Sequence, residues 1–110
     1  METMVKNTDN KRSTKTEVAA FFEKLGYLVD YDGCNGGMFW HEIISKKSKK
    51  LICQIGYGAS INDIISDFSH WYLKIPTITT GESYDVNAED ERAFRRLLKK
   101  VYEYNVKNPI

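Results

Sequence analysis

The sequence predicts a single α+β domain in the order α-β-β-β-α-β-α. An antiparallel three-stranded meander, with a short fourth strand, packs against helices. Three observations carry that expectation. The chain has 110 residues, the size of one compact domain. Its apolar residues recur at a helical period of about 3.6 in three stretches and alternate with a period of about two between them. Turn-forming residues punctuate the boundaries: Gly26, Asp32-Gly33, Asn35-Gly36-Gly37, Pro76 and Gly81.

Residues 1–13 are polar and charged apart from two apolar side chains, Met4 and Val5, after the initiator, and read as a flexible arm. The domain is expected over 14–106, with 107–110 as a tail. Thr14 and Glu17 have capping-box spacing, so each side chain reaches a backbone amide that the first turn leaves unpaired. Val18, Phe21, Phe22 and Leu25 then form an apolar stripe, and Gly26 suits the left-handed residue that ends a helix over Lys15–Leu25. Alternation from Tyr27 predicts a strand that turns at Asp32-Gly33. Met38–Ser45 reads as a second strand, with Phe39, His41 and Ile43 on one face and Trp40, Glu42 and Ile44 on the other. A lysine-rich hairpin loop follows. Leu51–Tyr57 is apolar on both faces apart from Gln54 and Gly56, which predicts a central strand covered on both sides.

Ser60 and Asp63 repeat the capping logic for a second helix lined by Ile61, Ile64, Ile65, Phe68, Trp71 and Tyr72. Pro76 disfavours helical backbone at Ile75 and ends it. The β-branched run Ile75–Thr80 predicts the short fourth strand. Asn87 is expected to cap a third helix whose first turn carries Glu89, Asp90 and Glu91 and whose buried stripe is Phe94, Leu97, Leu98, Val101 and Tyr102.

The element order, with the Leu25-Gly26-Tyr27 helix end, the Gly36-Gly37 turn, Gln54 in the third strand and the Ile75–Gly81 segment before the last helix, resembles the PD-(D/E)xK nuclease superfamily. That resemblance spans most of residues 15–104 and implies a restriction-endonuclease-like core. It also implies an acid early in the second strand to hold Mg²⁺ and a lysine two residues after Gln54. Met38, Phe39 and Trp40 stand where the acid is expected, Glu42 lies two residues late, and Gly56 stands where the lysine is expected. The resemblance therefore implies a relative without catalysis, and no catalytic residue is assigned.

Sixteen Lys and Arg against fifteen Asp and Glu give a net charge of +1 and a pI near 7.7. A strongly basic nucleic-acid domain would lie above about pI 9. Two cysteines are too few for a disulfide framework, no signal-peptide core or membrane-spanning run is present, and a cytoplasmic protein with no membrane partner is expected. Cys34, His41, Cys53 and His70 are zinc-ligand types, but no pair has ligand spacing, so no metal and no cofactor are assigned. Asp63, Asp67 and His70 read as a solvated helix face. Gly56-Tyr57-Gly58 lacks the rest of a phosphate loop and reads as a strand-to-helix turn.

Two basic clusters and one tryptophan remain as candidate binding residues. Lys46, Lys47, Lys49 and Lys50 crowd the hairpin, and Arg92, Arg95, Arg96, Lys99 and Lys100 lie opposite the stripe of the third helix. Trp40 shares a strand face with Glu42, and an excess of aromatic residues would mark a protein interface, a homodimer contact among the options. Two function classes follow. One is a small non-enzymatic protein-binding accessory or inhibitor, of the kind phages and mobile elements carry. The other is a DNA- or RNA-binding module on the nuclease-like core, which requires the hairpin lysines and the helix-three arginines to share one face.

Overall fold

In the computed structural model the described residues are 15–74 and 84–109. Helix α1 covers residues 15–24, and Val18, Phe21 and Phe22 point into the core. It ends as its glycine dictates: Gly26 has φ +102° and its N–H donates to the Glu23 carbonyl at 3.0 Å. Three strands follow, β1 (Tyr27–Asn35), β2 (Met38–Ser45) and β3 (Leu51–Tyr57), then helix α2 (Ile61–Leu73), strand β4 (Tyr84–Ala88) and helix α3 (Glu91–Lys107). The α+β class and the single domain stand. The sheet order is β1-β2-β3-β4, and every neighbouring pair is antiparallel.

Register sorts the side chains into two faces. The rows Tyr31–His41–Ile55–Val86 and Val29–Ile43–Cys53–Ala88 form the inner face. The helices close over it through Phe22, Phe68 and Phe94, whose rings meet at 5.8 Å and 6.2 Å between centroids. Burial of each such ring stabilises the fold by roughly 1.5–3 kcal/mol. The rows Asp30–Glu42–Gln54–Asn87 and Gly33–Trp40–Gly56–Asp85 form the outer face.

Several expectations need correction. β1 does not turn at Asp32-Gly33: the register slips there as a bulge, and the turn falls at Gly36-Gly37, both with positive φ. β3 is central, but no helix covers its second side among the described residues. Among the described residues it is shielded there by Trp40, whose indole lies flat against Gly56. α2 has the expected Ser60 cap, whose hydroxyl accepts from the Asp63 N–H, but stops at Leu73, short of Ile75. The run Ile75–Thr80 lies outside the described residues, as do residues 1–14 and with them the arm and the Thr14 cap. The fourth strand is Tyr84–Ala88, in a segment expected to be loop. Asn87 pairs with Gln54 inside it, so the cap of α3 is Asp90, whose carboxylate accepts from the Arg92 and Ala93 N–H groups. α3 runs through Lys107, one residue past the expected domain edge.

Candidate functional site

The hairpin between β2 and β3 is closed by its own serines. Ser45 N–H donates to the Lys50 carbonyl at 2.9 Å, the Lys49 N–H donates to the Ser45 carbonyl at 2.8 Å, and the Ser45 hydroxyl accepts from the Ser48 N–H. Ser48 in turn accepts from the Lys50 N–H. Lys49 takes a left-handed φ of 63° to close the turn. With its backbone so engaged, the loop projects ammonium groups. Across from it lies α3, where i, i+4 spacing sets Arg96 and Lys100 on the flank beside buried Ala93 and Leu97.

Between these elements lies a cavity of about 470 Å³. Lys46, Lys47 and Lys50 line it from the loop, Arg96 and Lys100 from the helix, and buried Tyr27 and Ile52 from the sheet. Lys100 donates to the Leu25 carbonyl at 3.3 Å and sits 4.8 Å over the Tyr27 ring, which leaves it two further N–H groups. Burial raises the Tyr27 phenol above its ordinary pKa, and the Arg96 guanidinium pulls it the other way. Lys46, Lys47, Lys50 and Arg96 have no carboxylate partner among the described residues. The one acid on the wall, Asp90, spends an oxygen on the α3 cap.

A second, more open cavity of about 310 Å³ shares Lys100 with the first and is lined by Lys24, Lys107, Glu103 and Tyr104 among others. Lys24 lies over the Tyr104 ring at 5.7 Å. Seven cations and two acids thus border the two adjoining cavities. Lysines and an arginine far apart in sequence meet there because β1 begins, and the β2–β3 loop lies, at the end of the sheet where α3 starts.

Not all the candidates join it. Lys49 sits at the loop but does not line the cavity. Arg92 and Lys99 are exposed on the next stripe of α3, and Arg95 is held by Glu91 at 3.0 Å. Trp40 lies on the outer face, half-buried, donating from Nε1 to the Asn35 carbonyl at 3.1 Å. Tyr27, Ser45, Ser48, Asp90, Lys24 and Lys107 were not among the sequence candidates. Lys107 had a signal, since it is one helical repeat of seven beyond Lys100; Tyr27 and Lys24 had none, because only the fold brings α1 and β1 to α3.

The aromatic residues mostly build the core. Phe21, Phe22, Tyr27, Tyr57, Phe68 and Phe94 are buried, and Phe21 meets Tyr104 edge-on at 4.9 Å. Outside it, Tyr72 and Tyr102 pair at 5.0 Å next to exposed Leu73. Cys34 is exposed, Cys53 is buried with its thiol pKa pushed up by desolvation, His41 is buried and His70 exposed. Among the described residues no group of three His, Cys, Asp or Glu side chains is placed to hold a metal, and no helix is long and apolar enough to cross a membrane. No protein-family model, curated protein or solved structure matches the chain.

Proposed function

We propose that this chain is a non-enzymatic binding protein whose ligand is the phosphate backbone of a nucleic acid, held in the basic cleft between the β2–β3 loop and α3. One observation carries the reading: five cations from two distant segments converge on a single cavity, none of them with a carboxylate partner among the described residues. Unneutralised cations on a recessed wall attract phosphates and release their counterions, which gives affinity that salt weakens. A nuclease-like order of elements that lacks the metal-holding acid and the lysine suits binding without cleavage.

Fluorescence anisotropy with DNA and RNA oligonucleotides, titrated from about 50 to 200 mM salt, tests it. Each phosphate contact contributes about 0.9 to the slope of log affinity against log salt, so replacing Lys46, Lys47 and Lys50 by Ala is expected to lower that slope by about 2 to 3. Binding that is absent at the lowest salt, or that ignores salt, rejects the proposal.

A protein-partner reading is favoured by a different surface. The outer sheet face carries Asp30, Asp32, Glu42 and Asp85 around Trp40, with no helix over it among the described residues. That surface suits a partner that presents Lys or Arg to the carboxylates and the indole. An accessory or inhibitory protein would engage its target there, and Glu42→Lys would abolish the complex while leaving nucleic-acid binding in place.

A further inference from the structure

Resting on the nucleic-acid reading, we infer that the cavity is a receptor for a terminal phosphate monoester, the phosphorylated end of a strand, and that the strand then runs out along α3. The two cavities differ in a way that points there. The first is the larger and the more enclosed, with buried Tyr27, Ile52 and Ala93 in its wall; the second is more open. They share Lys100.

An internal phosphodiester needs an open path on both sides of the bound group. The more enclosed recess adjoins the open groove at Lys100, and a chain end seated in the recess needs a path on that one side alone. The charge agrees. A diester carries one negative charge, whereas a monoester carries about 1.5 to 2 near neutral pH and has three strong acceptor oxygens. The recess offers it Arg96, whose planar fork grips two oxygens at once, and the ammonium groups of Lys46, Lys47 and Lys50 around them. Lys100 stands at the junction, and the cations beyond it, Lys24 and Lys107, are spaced along the open track where single-charge diesters would follow. The volume of about 470 Å³ is within the range of pockets that hold a small organic ligand, roughly 300–1,000 Å³, so a terminal nucleotide has room.

The test is competition against one fluorescent oligonucleotide at fixed salt, using unlabelled strands of one sequence that differ only at their ends. The strands carry a 5′-phosphate, a 3′-phosphate, two hydroxyl ends, or no end because they are circular; a free nucleoside monophosphate is the fifth competitor. A phosphorylated end is expected to compete at least tenfold better than the hydroxyl-ended and circular strands, and the 5′ and 3′ forms identify which end enters. Arg96→Ala is expected to erase that preference, while Arg95→Ala, outside the cavity, retains it. Circular dichroism on both variants checks that the fold persists, and Arg96→Lys, which keeps the charge but loses the fork, is expected to retain only part of the preference. Equal competition by ended and circular strands overturns the terminal-phosphate inference and leaves backbone binding standing. Failure of every strand to compete, together with no direct binding, overturns both. Competition by the free monophosphate equal to that of the phosphorylated strands also overturns it, since the open track would then add nothing.

Discussion

His41 is the least expected occupant of the core. Its imidazole is 1% exposed, stacked on Tyr57 at 5.4 Å and tilted against Tyr31 at 5.2 Å, and its Nδ1 has no hydrogen-bond partner. Burial, with a smaller push from the Lys15 ammonium, lowers its pKa from 6.5 to about 4. The unfolded chain therefore takes up the proton first as pH falls. Stability from this residue is intact above about pH 6.5 and is lost progressively towards pH 4, with a loss of about 2 kcal/mol already at pH 5. Urea denaturation at pH 7 and pH 5 measures it: His41→Phe, which keeps a ring in the stack, is expected to lose about 2 kcal/mol less than wild type over that interval. An unchanged acid slope in the variant would assign the effect to carboxylates instead. Strand alternation puts His41 on one face with Phe39 and Ile43 without saying which face is inner. Its stacking on Tyr57 was not legible, because a cross-strand neighbour depends on register, and register depends on a hairpin loop and a bulge between Ile43 and Ile44 that carry no signature of their own.

The sheet itself depends on a match between one residue without a side chain and one with the largest. A methyl group on Gly56 would come within 2.6 Å of the Trp40 ring, and the ring is tied by its N–H to the Asn35 carbonyl. Gly56 needs no unusual backbone, so its role is to provide space for the indole. Gly56→Ala is expected to destabilise the protein by about 1–3 kcal/mol, by forcing the indole off the strand. In a Trp40→Ala background the same change is expected to be neutral or slightly stabilising, since a strand glycine is otherwise a weak choice. Thermal or urea unfolding of the four proteins gives the coupling directly, and a cost that survives without Trp40 would refute the mechanism. Elements with strong local signals were legible: α1 and α2 through their apolar stripes, the Gly26 stop and the Ser60 cap. β4 was not, because Val86 and Ala88 alternate with Asp85, Asn87 and Glu89, a pattern that reads as polar loop. Asn87 and Asp90 are equally good caps by chemistry, and only the pairing of β4 with β3 decides between them.

At the scale of the whole molecule, a net charge of +1 conceals a division of charge. Cations border the cleft on the helix side, and carboxylates occupy the outer face of the sheet. Composition averages the two, so the near-neutral pI gave no sign of an interface. The two basic clusters were visible in the sequence, but their meeting depends on α3 crossing the end of the sheet where β1 begins, a long-range fact. This division makes position, not total charge, the determinant of binding. Asp90→Asn and Asp30→Asn each raise the net charge by the same amount. Asparagine caps a helix about as well as aspartate, so the first removes the acid from the cleft and keeps α3 intact. Asp90→Asn is expected to tighten oligonucleotide binding roughly two- to fivefold at about 0.1 M salt, as one charge a few ångströms from a phosphate warrants. Asp30 lies on the opposite face of the sheet, and at that salt charges separated by more than about 10 Å are largely screened, so Asp30→Asn is expected to change affinity by less than about 1.5-fold. Anisotropy titrations of the two variants decide the point. Equal tightening by both would mean that the chain binds through its overall charge, and the cleft would lose its claim to be the site.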